Sequence, residues 1–218
     1  MNTQSQIVQT PFSFVEFDLD EGGLDELLNQ FSAAMRGHSR RVAVCSAIMA
    51  EYAKESLHGI DVPSSVNIAV VAHLGGLCHD TGKLLMPVIA TSDADYFKHP
   101  VYGAELLERH KMELFADDEE AQLVLEMVRY HHERPDGSGF PYGLRTRDIP
   151  LTAGICAVAD SLDHRIYSAP LPRDSSAAIF YDIKTQEGTL LYESAVGCFE
   201  LAWPALMEQY TKWSRNAG

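Results

Sequence analysis

The chain has 218 residues, a hydrophobic fraction of 46% and a formal charge of −14, with 17 Lys and Arg against 31 Asp and Glu. That acidic balance argues against duplex nucleic acid and anionic membranes as partners, because both require a basic footprint. No apolar run approaches the roughly 18 residues that span a bilayer, no basic segment leads into an apolar one as in a signal peptide, and Cys45, Cys78, Cys156 and Cys198 are too scattered for a CxxC site, so they read as reduced thiols in a cytoplasmic protein.

Residues 1–23 read as an N-terminal extension, in which Phe12, Phe14, Val15 and Phe17 suggest a short extended segment packed on the domain. Residues 24–218 read as one helical domain. Leu24, Leu27, Leu28 and Phe31 recur at helical spacing. A second helix is expected over Ser39 to Ser56, with Val42, Cys45, Ile48, Met49 and Tyr52 inward and His58-Gly59 as its stop. Pro63-Ser64-Ser65 is expected to open an apolar helix through Leu77. Pro100 to Arg109 and Glu119 to His132 read as helices, the latter with Leu123, Met127 and Tyr130 at helical spacing. A Gly- and Pro-rich loop covers Pro135 to Pro150, a helix Leu151 to Arg165, and a less regular stretch residues 166–188. Thr189 to Trp213 is expected to be mostly helical, broken at Pro204. Strand signals are few, so the class is all-α, a single bundle-like domain.

The chemistry is concentrated in a few runs. His79-Asp80-Thr81-Gly82-Lys83 places an imidazole and a carboxylate side by side, with Lys83 about one turn on and able to hold a phosphate. The bland reading is a solvated helix end. His131-His132 ends a helix before the breaker Pro135, where adjacent side chains can converge. Asp136-Gly137-Ser138-Gly139-Phe140-Pro141 follows, and its glycines permit positive φ and close approach to a ligand, or simply a structural turn. Asp160 emerges from the apolar run Ile155 to Ala159, which is costly unless it is paired or metal-bound. The competing reading is a helix turned so that Asp160, Asp163 and Arg165 face water. His99 and His38 carry little signal alone. His58, His73, His110 and His164 lack such context and are taken as non-ligands. Imidazoles bind borderline transition metals and a carboxylate can bridge two, so the set reads as a two-ion site.

In this order the runs resemble the HD-GYP family, the HD-superfamily subgroup that hydrolyses cyclic di-GMP, over roughly residues 30–200. His79 to Lys83 match its HDxGK, His99-Pro100-Val101-Tyr102-Gly103 its HPxxG, and His131 to Pro141 its HHExxDGxGYP. Gly143-Leu144 and Ile149-Pro150 continue the pattern, Val158-Ala159-Asp160 matches VAD, and His38 to Val42 matches HxxRV. The resemblance implies a compact helical domain and, as metal ligands, His38, His79, Asp80, His99, His131, His132 and Asp160. It implies Asp80 as the bridge, Lys83 on the scissile phosphate, and a substrate wall of Asp136, Gly137, Gly139, Phe140 and Pro141. The implied activity is phosphodiester hydrolysis by hydroxide activated between two divalent ions, with Asp80 and Lys83 catalytic, cyclic di-GMP as the substrate, and a signalling protein as the candidate macromolecular partner. Iron or manganese is expected first, with zinc or nickel open. The rival readings are a non-catalytic metal-binding module for nucleotide sensing or protein docking, and an HD hydrolase of another phosphoester.

The chain departs from the family in four places, one of them the arginine-containing run after Asp160, which is only weakly kept. Phe140 stands where the signature tyrosine stands, and Ala34 where some members carry a glutamate for a third ion, so two ions are expected. The segment between Lys83 and His99 is also short, reduced to Met86-Pro87-Val88-Ile89 at a stretch that normally holds further matching residues.

Overall fold

Ser32 shows how this chain starts a helix. Its Oγ accepts a hydrogen bond from Met35 N at 3.2 Å, satisfying a backbone donor that helical bonding leaves free. Strong helix formers follow, so the helix begins at Ala33, earlier than the expected Ser39, and His38 lies inside it. The structure is a computed structural model and describes residues 23–56, 65–86, 93–167 and 176–216. Residues 1–22 of the expected N-terminal extension, the His58-Gly59 stop, Pro63-Ser64 and Pro87-Val88-Ile89 lie outside the described residues, and Gly23, expected in the extension, is the first residue of a helix.

In chain order the helices are α1 (Gly23–Asn29), α2 (Ala33–Ser56), α3 (Ile68–Cys78), α4 (Asp93–Tyr96), α5 (His99–Arg109), α6 (Lys111–Leu114), α7 (Asp118–Tyr130), α8 (Leu151–Tyr167), α9 (Ser176–Lys184) and α10 (Glu193–Asn216). Short 3-10 turns cover Thr81–Leu84 and Thr146–Asp148. Among the described residues there is no strand, only isolated bridges between Asp136 and Arg145 and between Glu187 and Leu191. No described helix is long and apolar enough to cross a membrane.

Three expectations need correction. The apolar helix α3 opens at Asn67, whose side chain accepts from Ala69 N at 3.1 Å, and so starts after the expected Ser65. The stretch expected to be irregular holds α9, whose buried anchors Ile179 and Ile183 lie one turn apart, too few for a clear period. Pro204 does not break α10. A proline inside a helix costs about 3 kcal/mol, but the helix buries Phe199, Ala202, Leu206 and Tyr210 on both sides of it. At roughly 1.5–3 kcal/mol for each large apolar side chain, that burial outweighs the cost.

α2 runs through the middle of the fold and packs on α3, α8 and α10. One apolar cluster joins Val42, Cys45, Met49, Ile155, Leu162 and Phe199. A second joins Leu27, Val71, Leu85, Leu107, Val124 and Val128. The ends of α3 and α7, the start of α5 and one face each of α2 and α8 meet at the imidazoles described next.

Candidate metal centre

Helix ends orient three of the imidazoles. His79 follows the last residue of α3 and His131 the last of α7, where the final carbonyls have no intrahelical partner. His79 Nδ1 donates to Gly76 O at 2.8 Å, His131 Nδ1 to Val128 O at 2.7 Å, and His99 Nδ1 to Tyr96 O at 2.8 Å, each reaching the carbonyl three residues back. A carbonyl only accepts, so each Nδ1 carries the hydrogen, and in the neutral imidazole each Nε2 presents a lone pair. His38 is held by a carboxylate instead: its Nδ1 lies 2.8 Å from Asp163 Oδ2.

These lone pairs converge on Asp80, itself 3% exposed. Asp80 Oδ2 lies 3.4 Å from His79 Nε2 and 4.0 Å from His38 Nε2. Asp80 Oδ1 lies 3.4 Å from His99 Nε2 and 4.0 Å from His131 Nε2. Asp160 Oδ1 sits 3.1 Å from His38 Nε2, out of line for a hydrogen bond. The Nε2 atoms of His79, His99 and His131, Asp80 Oδ1 and Asp160 Oδ1 are all buried without a hydrogen-bond partner. A cluster of acceptors facing one another in a dry interior is unfavourable unless positive charge lies between them. Ligand atoms about 2.1 Å from one ion stand roughly 3.0–3.4 Å apart, which matches the shorter separations. The residues present therefore fit divalent ions, in groupings of His38, His79 and Asp80, of His99, His131 and His132, and of His38, Asp160 and His164.

The titration behaviour carries the same demand. Burial pulls the His38 imidazole down, but Asp160 and Asp163 outweigh it and raise it to about 9. Burial likewise opposes charge on His79, and Asp80 overrides it upward. Burial pushes the Asp160 carboxyl up, yet His38 and His79 hold it at about 2. Burial, with help from neighbouring imidazoles, keeps His131 and His132 well below the usual histidine range, so they stay neutral and available to a metal.

Lys83 lies in the 3-10 turn after His79-Asp80, not one α-helical turn above His79, because α3 ends at Cys78. Its Nζ lies 2.6 Å from Asp80 Oδ2 and 5.6 Å from the centre of the Tyr96 ring. Gly82 sets this turn against α5. A Cβ there would fall 1.9 Å from His99 O and 2.6 Å from Gly103 N, so the glycines of the two motifs let the backbones carrying Asp80 and His99 touch.

In the loop, Phe140 packs its ring on His132 with centroids 4.6 Å apart, and on Phe97 at 5.0 Å. The Phe140-Pro141 peptide is cis. Gly139 lies where a Cβ would meet Arg134 N at 2.4 Å, and Gly137 has φ of 80°. Asp136 is exposed and caps the loop itself, its Oδ1 accepting from Ser138 N at 2.8 Å. Beside the cluster lies a cavity of about 340 Å3 whose lining includes His132, Arg134, Asp160, Ser161, His164 and Arg165.

Three residues had no role assigned from sequence. Glu133 is buried and accepts from Tyr142 N at 2.7 Å and Leu144 N at 2.8 Å, folding the loop back over the histidine pair. Asp163 does not face water. It is 2% exposed and also takes Arg41 Nε at 2.7 Å, Arg41 Nη2 at 2.9 Å and the Tyr210 hydroxyl at 3.3 Å. His164, set aside as a non-ligand, lies with Nε2 3.4 Å from Asp160 Oδ1. The available signal was spacing, since positions 160, 163 and 164 share one helical face.

The HD domain model matches residues 35–165, and the chain belongs to the HD domain family. The motifs that resemble the HD-GYP type lie in and around that span. A cyclic di-GMP phosphodiesterase of Thermotoga maritima is 33% identical over 134 residues, covering 56% of this chain and 34% of the relative. The 3'3'-cGAMP-specific phosphodiesterase 2 of Vibrio cholerae is 31% identical over 147 residues, covering 63% of this chain and 27% of the relative. The chain thus spans about a third of the length of these relatives, or less. Among solved structures, the HD domain of the L. monocytogenes phosphodiesterase PgpH, in complex with cyclic-di-AMP, aligns with a TM-score of 0.50 at 14% identity, covering 84% of this chain and 97% of that one. That likeness shows the shared helical fold.

Proposed function

We propose that this chain is a metal-dependent phosphodiesterase that hydrolyses cyclic di-GMP to the linear dinucleotide or GMP. The observation that carries the reading is Asp80, whose two carboxylate oxygens face two different sets of imidazole lone pairs. In this reading one ion is held by His38, His79, Asp80 and Asp160, and the other by Asp80, His99, His131 and His132. When bound, divalent ions supply positive charge for the phosphoryl oxygens and acidify water for attack on phosphorus. Asp80 would be shared by the two ions, and Lys83, on the rim beside it, would meet the negative charge that grows on the phosphate. Arg134 and Arg165 line the neighbouring cavity and are placed to attract an anionic dinucleotide. The Phe140 ring offers an apolar edge beside His132.

Cyclic di-GMP is favoured by the set of motifs and by the T. maritima relative named for it. The V. cholerae relative makes 3'3'-cGAMP the nearest competitor. Iron and manganese suit a site that mixes imidazole and carboxylate, with zinc and nickel as alternatives. The test is purified protein loaded with Mn2+ or Fe2+ and offered cyclic di-GMP, 3'3'-cGAMP and cyclic di-AMP separately. Chelator-sensitive turnover is expected, fastest on cyclic di-GMP. Protein that holds two ions yet leaves all three intact would refute the catalytic reading, and preference for another dinucleotide would refute the substrate.

A further inference from the structure

We infer that His164 is an additional ligand to the ion on the His38 side of the centre; the inference rests on the two-ion reading above. Asp160 and His164 stand one turn apart on α8 and so share a face. His164 Nε2 lies 3.4 Å from Asp160 Oδ1, and its ring centre is 5.1 Å from that of His38. One ligand atom from each of His38, Asp160 and His164 falls within 4.8 Å of the others. Asp160 Oδ1 is buried and has no hydrogen-bond partner, so it is an acceptor turned towards this same space.

His38 fixes how many ions these contacts serve. Its Nδ1 is taken by Asp163, which leaves Nε2 as its one inward nitrogen. A single lone pair binds a single ion. The grouping of His38 with His79 and Asp80 and the grouping of His38 with Asp160 and His164 therefore converge on one ion and do not define separate ones. That ion is offered His38, His79, Asp80, Asp160 and His164, while its neighbour is offered Asp80, His99, His131 and His132. The two are unequal: in six-coordinate geometry the His38-side ion keeps fewer open positions and is held more tightly. His164 has a side chain 60% exposed, so it closes the centre from the solvent side, at the wall of the cavity. A plain surface ion pair between Asp160 and His164 would have the same spacing but no effect on bound metal.

The test measures metal and not turnover. Wild-type protein, His164→Ala and His164→Asn are loaded with Co2+, dialysed against graded chelator, and assayed for metal content, visible absorption and helical circular dichroism. Wild type is expected to hold two equivalents. Both variants are expected to keep the wild-type circular dichroism while the affinity of one equivalent falls by about tenfold or more, the scale on which even indirect partners of ligands act. The ligand-field bands of that equivalent should change, because one nitrogen has gone. Two equivalents held in both variants as tightly as in wild type, with an unchanged spectrum, would overturn the inference alone. Wild-type protein unable to hold two equivalents would overturn the two-ion reading and the inference together.

Discussion

Gly82→Ala is expected to pull the centre apart without touching a ligand. The added Cβ would sit 1.9 Å from His99 O, 2.8 Å from His99 C and 2.6 Å from Gly103 N, all backbone atoms with no rotamer to relieve them. Ordinary contact begins near 3.4 Å, so the start of α5 must retreat by about 1.5 Å. If the retreat falls along the line from Asp80 to His99, the 3.4 Å between Oδ1 and Nε2 grows to nearly 5 Å. An ion with bonds of about 2.1 Å spans at most about 4.2 Å between two ligands, so Asp80 and His99 can no longer share one. Overpacking of this kind costs about 1–3 kcal/mol, and a domain of this size loses about 2–4 °C in Tm per kcal/mol. A fall in Tm of about 2–12 °C is expected by circular dichroism, with loss of the ion on the His99 side by metal analysis. Gly197→Ala in α10, where nothing lies within 4 Å of the added methyl, is the control: it should keep both ions and hold or slightly raise Tm, since alanine favours a helix interior over glycine by about 0.5–1 kcal/mol. A Gly82→Ala protein with wild-type Tm and two ions would refute the close-approach argument.

Asp80→Ala should lose most of both ions on metal analysis; retention of both would remove the bridge. Lys83→Ala should keep fold and metals but lose about 10²-fold or more in turnover, as for one electrostatic contact in a sheltered site, and normal turnover would return Lys83 to a partner of Asp80 alone. Glu133→Ala strands two backbone donors, each hydrogen bond to a charged group being worth about 1.5–3 kcal/mol, so thermal unfolding should show a clear loss of stability that Glu133→Gln partly restores; an unchanged Tm would mean the loop needs no internal anchor. Phe140→Tyr adds one hydroxyl, worth about 0.5–1.5 kcal/mol in an ordinary hydrogen bond, so steady-state kinetics should move by no more than about tenfold, and an inert protein made efficient by this change alone would show the hydroxyl to be essential.

Part of the candidate ligand set was open to sequence reading because its members sit at chain punctuation: His79 and His131 fall where helices end, and Asp160 interrupts an apolar run, whereas His38 and His99 stand out only through the family resemblance. The long helices were mostly legible from apolar spacing, but the four-residue α4 and α6 are too short to show a period, and the two isoleucines of α9 are too few to mark one. Pro204 misled because the penalty is local while the compensating burial of Phe199 and Leu206 comes from distant elements. Asp163 and Glu133 were hidden for a related reason. Nothing in the sequence says that position 163 will meet Arg41 and Tyr210, or that position 133 will meet the backbone at 142 and 144. Lys83 was placed by assuming that α3 continues past Cys78, which the turn at His79-Asp80 prevents.

The way the imidazoles are held bears on how this site can drift as its sequence changes. His79, His99 and His131 hang from main-chain carbonyls, and every residue type carries a carbonyl. Substitutions at Gly76, Tyr96 or Val128 can crowd the site but cannot delete the acceptor. Of these four imidazoles, only that of His38 depends on a side chain, Asp163, which Arg41 and Tyr210 also grip. Three corners of the centre are thus buffered against mutation and the fourth is not. Replacement of Asp163, Arg41 or Tyr210 is a route by which a descendant of this chain could retune the basicity of His38 while leaving every candidate ligand in place.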